Sequence, residues 1–433
     1  MTTMGARPPY QPRKAWTVAL MLAALNLVNF LDKIVIGLVA VPMMQELGLT
    51  AVQFGVIGGA IYWLFAVSGV AGGFLANRLP TRWLLLAMAL MWSVVQLPMI
   101  FTGSMTMIII ARVLLGVGEG PSAAISFHAC YKWFPNDRRN LPATVIGMGA
   151  SIGVLVAGVC MPLITQRWGW RANFAALGIV GVAWAAAWLL LGREGPLRDD
   201  GTGDQAQAAA RTQRLPYLRL LTDSTVWGAA MLTFVSYWGV VIALTWMNTY
   251  LHKGLGYDAV SSGRMFALVV LMAMPVTLGV AAMSQRMMAR GATSRRARVG
   301  LSALSLLTGG VLFALPQFSP LAPLAKVLVI AVGLGLSQVV FAIAPALVGE
   351  VVPVAQRGAV LAIEVAVGTL GGIVSPVVLG MFMDAPGATV ASGYEAGVAL
   401  SGALLITGAI VAWLMIDPER SKRLLLRVQP HAA

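Results

Sequence analysis

Hydrophobic positions along this chain do not alternate with polar ones at the 2- or 3.6-residue period of a half-buried strand or helix. They run in long, nearly unbroken stretches. Twelve of these are read at roughly 16–40, 52–76, 83–101, 105–131, 142–164, 172–191, 225–251, 265–284, 299–315, 324–348, 358–382 and 396–416. A stretch of about 18–25 apolar residues, rising about 1.5 Å per residue, covers the ~30 Å hydrocarbon layer of a bilayer. The pattern therefore predicts an all-α integral membrane protein with twelve transmembrane helices. One long polar interruption, residues 192–222, begins GREGPLRDDGTGDQAQAAAR and reads as a solvated linker. It divides the chain into a six-helix bundle over 1–191 and a second over 223–418, followed by a tail, 419–433. The first span is too long for a signal-peptide core and has no small-residue cleavage site, so it is expected to stay in the mature protein.

Composition agrees. Hydrophobic residues make up 58% of 433, charged residues 11%, and the mean hydropathy is +0.82, more apolar surface than a soluble fold of this size can cover. The net charge of +14 does not point to nucleic acid, because the bases lie between the spans rather than along one face. Cys130 and Cys160 fall near or within spans and read as packing residues, not a disulfide. His128, His252 and His431 form no spaced pair for haem, and no phosphate-binding loop is present. No metal or cofactor is expected.

Orientation follows from Lys and Arg. With the N-terminus in the cytoplasm, 23 of them fall on the inner side and 5 outside (Arg167, Arg171, Lys253, Arg264 and Lys326). The positive-inside rule, with an even span count, then places both termini in the cytoplasm. The halves also echo each other. The loop after span 2 reads GGFLANRLPTR and that after span 8 AAMSQRMMARG, placing Arg78 (followed by Arg82) and Arg286 just past a helix end. Pro135 is followed four residues later by Arg139, next to Arg138, and Pro353 four residues later by Arg357. Such repeats predict a duplicated fold with its site between the halves, near mid-membrane, and these arginines as gating candidates.

An ionised group at the bilayer centre costs at least about 2.5–3.5 kcal/mol, so charges there need partners or a water-filled cavity. Span 1 carries Asp32 and Lys33, span 4 Arg112 and Glu119, and span 11 Glu364. Asp32 and Lys33 diverge by about 100° and cannot face one partner. Asn26, Asn29 and Lys33 make one polar stripe. Arg112 and Glu119, seven apart, share a face about 10 Å from each other, too far for a mutual salt bridge; they suit two points of one cavity, or pairing of each with a charge on span 1. A carboxylate beside a movable cation can take and release a proton, which makes Asp32 and Glu119 the coupling candidates. Lys33 or Arg112 would meet a substrate carboxylate. The face of Glu364 holds Gly368, Gly371 or Gly372, and Ser375, either a tight helix contact or a cavity wall. Tyr237, Trp246, Asn248 and Tyr250 of span 7 are further cavity candidates, and His128 is expected to bond locally.

These residues resemble a known family. NFLDKIVIGLVAVPMMQELGLT in span 1 resembles the N-Y-x-D-R-x-x-L-S-V-A-x-P signature of the anion:cation symporters of the major facilitator superfamily. ARVLLGVGEGPSAAISFHACYKWFPNDRR in span 4 resembles their R-x-x-L-G-x-x-E-G/A-P…W-F-P-x-x-x-R, and WMNTYLHKGLGYDAVSSG and GEVVPVAQRGAVLAIEVAVGTLGGIVSPVVLG fit the same pattern. The resemblance implies proton-driven import of a small organic anion, such as a sugar acid or other carboxylate, across the cytoplasmic (inner) membrane. It gives Asp32 and Glu119 to proton handling, Lys33 to the substrate carboxylate and Arg112 to a network beside Asp32. The chain departs from the signature at Phe30 (usually tyrosine) and Lys33 (usually arginine). Asn77 and Gln285 stand where the loops usually carry acids. Glu364 to Thr369 lacks the usual asparagines. These departures argue against a polyhydroxy sugar acid and for a less hydroxylated anion.

Expected partners are therefore the carboxylate, protons and the lipid bilayer, with no nucleic acid, and a monomeric state. A drug or cation antiporter is the first competing reading, disfavoured by Lys33 and Arg112, which would repel a cation. A non-transporting sensor or scaffold subunit is the second. An enzyme is disfavoured because no nucleophile–base pair or metal-ligand cluster is visible.

Overall fold

The computed structural model describes residues 11–76, 78–135, 138–196, 215–353 and 356–426. Arg7, Asn77, Asn136, Asp137, Val354, Ala355, Arg427, His431 and the linker segment 197–214 with Arg198, Arg211 and Arg214 lie outside the described residues. Twelve helices are long and apolar enough to cross a membrane. They are α1 (Pro12–Leu38), α2 (Ala51–Ala76), α3 (Thr81–Phe101), α4 (Met105–Tyr131), α5 (Asn140–Trp168), α6 (Arg171–Leu191), α7 (Ser224–Gly254), α8 (Ala259–Ala289), α9 (Arg295–Phe318), α10 (Pro323–Val351), α11 (Arg357–Met383) and α12 (Val390–Met415). Each matches one expected span. The largest differences are at α8 and α12, whose first turns (from Ala259 and Val390) are too polar to be read as membrane-crossing. Leu20, Val67, Phe74, Ile179, Leu190 and Leu414 are exposed on the outer surface, as lipid contact requires. Cys130 is buried and Cys160 exposed, both as free thiols, so Cys160 does not serve packing.

The face on which α1 begins and α12 ends also collects most of the lysines and arginines. It is called here the basic face, and the opposite one the far face. At the basic face the internal repeat has a structural counterpart. Arg139 Nε donates to the carbonyl of Phe134 at 3.1 Å, and Arg357 Nε donates to that of Val352 at 3.0 Å. Each arginine thus reaches back over its proline to close the same turn. The acids after α6 and α12 are matched too. Glu194 accepts from the N–H groups of Thr81 and Arg82 at the start of α3, and Glu419 from the N–H of Arg295 at the start of α9. Exposed N–H groups at a helix start carry partial positive charge, which a carboxylate satisfies. The end of the linker is docked: the Gln356 side chain pairs with both the N–H and C=O of Leu215.

At the far face the first and second six helices close on one another. Gly37 of α1 lies against the Leu244 carbonyl of α7, and Gly55 of α2 against the Pro376 carbonyl of α11; a Cβ at either would run into that backbone. Gly158 of α5 and Gly263 of α8 meet in the same way. Small residues let helix backbones approach closely where no hydrophobic force is available to drive helices together in lipid. Asp384, just past α11, accepts from the N–H groups of Ala51 at 3.0 Å and Val52 at 2.8 Å, capping α2 across the seam. Asn248 Nδ2 donates to the Leu38 carbonyl at 3.2 Å.

Candidate functional site

Between the seal and the basic face lies a cavity of about 440 Å³. Asn26, Asn29, Phe30 and Lys33 of α1, Phe65 and Gly69 of α2, Glu119 to Ala124 of α4 (Pro121 excepted), Tyr237 of α7, and Leu361, Ala362 and Val365 of α11 line it. The polar stripe expected on span 1 is thus its wall. α4 is interrupted after Glu119, where Gly120 and Pro121 break the helix before Ser122 restarts it; proline has no N–H to continue the ladder. The carboxylate therefore stands at a break in the wall.

The two charges of span 1 diverge as their adjacency requires. Lys33 Nζ turns into the cavity, 3.3 Å from Glu119 Oε2 and 2.7 Å from Asn29 Oδ1. It lies over the rings of Phe30 and Phe65, 4.9 and 5.4 Å from their centroids. Glu119 is fully buried, and neither of its oxygens has a hydrogen bond of good geometry. The ion pair is close in distance but unaligned, so charge rather than hydrogen bonding holds the acid. Asp32 turns away from the cavity: Gln96 Nε2 of α3 donates to its Oδ1 at 2.8 Å, and Arg112 donates to its backbone carbonyl at 3.3 Å. Neither arrangement open for Arg112 and Glu119 is met whole: Glu119 lies in the cavity wall beside the Lys33 ammonium, whereas Arg112 reaches the Asp32 backbone carbonyl rather than its carboxylate.

Several candidates are placed elsewhere. Arg112 is 3% exposed behind the wall, which leaves Lys33 as the cation facing the cavity among the described residues. Trp246 is corrected from cavity to seal: its indole N–H donates to the Pro376 carbonyl at 3.0 Å and its ring meets Phe54 edge-on. Asn248 is likewise in the seal. Tyr250 bonds Glu395 near the far face, at 2.7 Å. Thr369 is buried and bonds its own helix at Ala366. Glu364 lies one residue behind the wall, in a tight contact of α11 with α7 where Gly368 meets Thr233 and Tyr237. Among the described residues, Arg78, Arg82, Arg139, Arg286 and Arg357 of the gating candidates make no bridge between the halves. Arg78, Arg138 and Arg286 are exposed, Arg82 donates to Leu189 of α6, and Arg139 and Arg357 close their own turns. Two residues of the site escaped the sequence reading. Gln96 carried a signal, a lone amide mid-way along an apolar span; Tyr62, which meets Tyr237 edge-on at 6.1 Å, carried none.

A charged cavity walled by helices of both halves, closed on one face only, is the build of a membrane transporter. Residues 22–342 match the description of the Major Facilitator Superfamily, and the chain belongs to that superfamily, whose members are transporters and not enzymes. It is 26% identical over 412 residues to the probable sulfoacetate transporter of Cupriavidus necator, covering 92% of this chain and 93% of that one. It is 25% identical to the hexuronate transporter of Bacillus subtilis, over 56% of this chain and 58% of that one. A chloroplastic sodium-dependent phosphate transport protein of Arabidopsis thaliana is 24% identical, over 58% of this chain; the match spans about half (51%) of that relative's length. In fold, it is similar to a bacterial homologue of the lysosomal transporter Spinster in an inward-facing conformation, with a TM-score of 0.75, 16% identity, and 98% of this chain and 100% of that one covered. A D-xylose–proton symporter aligns with a TM-score of 0.74, 18% identity, and 94% and 99% covered.

Proposed function

We propose that the protein is a proton-coupled symporter that imports a small organic anion, with the basic face cytoplasmic and the cavity open to it. The observation that carries this reading is the Lys33–Glu119 pair in the cavity wall. The four intramembrane charges of α1 and α4 (Asp32, Lys33, Arg112 and Glu119) sum to zero, and an anion drawn to Lys33 must displace Glu119. A proton on Glu119 restores neutrality, and either oxygen can accept it without breaking a hydrogen bond. Anion and proton then enter together because neither alone leaves the buried site balanced. Asp32, held by Gln96 beside Arg112, is the second coupling acid on this side. Relatives named for sulfoacetate, hexuronate and phosphate support an anionic cargo. The weakly hydroxylated wall around Phe30, Phe65, Leu361 and Val365 favours a compact carboxylate or sulfonate over a polyhydroxy sugar acid.

Alternating access follows if the bundles 1–191 and 223–418, joined by the linker 192–222, rock about this site in the inner membrane. A monomer suffices, since both halves of the site come from one chain. The test is uptake of radiolabelled sulfoacetate and glucuronate into proteoliposomes under an inward proton gradient. Glu119→Gln and Asp32→Asn are expected to abolish gradient-driven accumulation while leaving insertion intact. Accumulation that survives both substitutions would overturn the coupling.

A further inference from the structure

Glu364, a buried acid of the second half with no cation partner among the described residues (Glu395, the other, pairs with Lys326), takes no part in that scheme, and its surroundings decide its protonation by counting hydrogens. Thr233 Oγ1 lies 3.0 Å from the Ala229 carbonyl, one helical turn back, and 2.5 Å from Glu364 Oε1. A hydroxyl has one proton to give. Against an ionised carboxylate that single proton would face two acceptors, and one close oxygen–oxygen contact would carry no hydrogen. With a proton on Glu364 Oε1 the acid donates to Thr233 and Thr233 donates to Ala229, so both contacts are hydrogen bonds. The other oxygen, Oε2, is buried without a partner. A carbonyl oxygen tolerates that far better than half of a carboxylate's charge does.

No cation offsets a charge there. Among the described residues, the groups facing Glu364 from the packed helices are Tyr237 and Thr233 of α7, with Tyr62 of α2 beyond Gly372. α2 has no charged residue, and the charges of α7, α10 and α12 sit near their ends at Lys253, Lys326, Glu350 and Glu395. An acid kept neutral for packing alone would serve no better than glutamine. Its position supplies a use: Val365 beside it and Tyr237 against it are cavity wall. α11 is also the helix whose Pro376 abuts Gly55 and whose end carries the Asp384 cap. Opening the far face must move the helix that holds this acid.

We propose that Glu364 is a further proton-binding site, in the second half, loaded while the basic face is open and the far face sealed, and discharged when α11 shifts against α7. This rests on the symport reading and deepens it: each cycle then carries one proton more than the α1–α4 charges account for. The balance is one carboxylate plus one proton giving one carboxylic acid, reversed on the other side.

Two measurements on the full-length protein test it. Infrared difference spectra between Glu364→Gln and wild type at neutral pH should show loss of one carboxylic-acid C=O band, and Thr233→Val should shift that band by removing its acceptor. Identical spectra in this region would overturn the assignment. In proteoliposomes given sulfoacetate or glucuronate, Glu364→Gln should still transport, but its steady-state accumulation should fall about tenfold for each unit of pH gradient. A band that disappears with accumulation unchanged would overturn the carried proton and leave a structural acid. Uptake of neither anion by the wild type defeats the symport reading and with it the carried proton, while the infrared band still decides the protonation. Should Glu364→Gln fail to fold, Glu364→Asp takes its place, with a shifted band expected and an unshifted one contrary.

Discussion

Lys33→Met is the sharpest perturbation of the site, because it removes the cation in direct contact with a fully buried carboxylate that has no well-aligned hydrogen bond. At 3.3 Å and an effective dielectric of about 20, the Lys33–Glu119 attraction is about 5 kcal/mol. Removing one partner of a buried pair typically costs about 3–5 kcal/mol, because the other charge is left uncompensated. The two partners are not equivalent. Lys33 keeps Asn29 Oδ1 and the rings of Phe30 and Phe65 after its acid is gone, whereas Glu119 keeps only the attraction of Arg112 and a poorly aligned approach to Asn29. Lys33→Met should therefore destabilise by roughly twice as much as Glu119→Gln, and adding Glu119→Gln to Lys33→Met should restore about 2 kcal/mol or more. Thermal unfolding of the four proteins in one detergent at neutral pH, followed by tryptophan fluorescence, gives the ranking. A double variant no more stable than Lys33→Met, or Glu119→Gln as the less stable single variant, would refute the reasoning.

Asp384→Ala removes a charged cap that spans the seam at the far face. A cap is worth about 1 kcal/mol, so the population open on that face should rise about fivefold, read as faster thiol labelling of a cysteine placed at Thr249. Gly55→Leu pushes a side chain into the Pro376 carbonyl and should hold the far face open, raising that labelling further and abolishing uptake; unchanged labelling would contradict the described seal. Arg139→Gln and Arg357→Gln each delete the same turn closure, so both should lower stability by about 1 kcal/mol, and a large effect at one alone would contradict the repeat. Burial raises the Glu194 carboxyl, but hydrogen bonds from Lys132, the Arg82 N–H and Thr81 outweigh it and hold the group below the usual 4.5. A depressed carboxyl contributes stability that is present above its unfolded value and lost as the pH falls through its folded one. Glu194→Gln should thus flatten the stability profile below about pH 4.5 and leave the slope above it unchanged.

What the sequence makes legible here is what membrane physics writes in one dimension. Twelve helices follow from the length of apolar runs, and the repeat from the positions of Pro135, Arg139, Pro353 and Arg357, because a loop has few ways to satisfy its backbone. The divergence of Asp32 and Lys33 follows from helical geometry alone. Which direction a polar residue faces does not follow. Trp246 and Asn248 share a helix with Tyr237, yet they belong to the seal, since α7 contacts α1 and α11 at one level and the cavity at another. Glu364 and Val365 differ by one residue and by one layer of packing. Gln96 was passed over because a single amide in an apolar span has no partner until α1 is laid beside α3.

Turn and cap contacts recur between the halves while the buried chemistry does not. The proline–arginine turns and the acid caps recur at matching places, so they answer to needs that both bundles share: closing a turn and satisfying a helix start. The buried charges do not recur. At mid-membrane α1 and α4 hold two acids and two bases, whereas among the described residues the second half places one acid there, on α11 beside hydroxyl groups; its other buried acid, Glu395, is paired with Lys326 near the far face. A balanced set can exchange its partner for a charged cargo; a lone acid can only gain or lose a proton. On this division the first half binds the anion, and the second, through the helix that closes the far face, ties the state of the gate to the proton it holds.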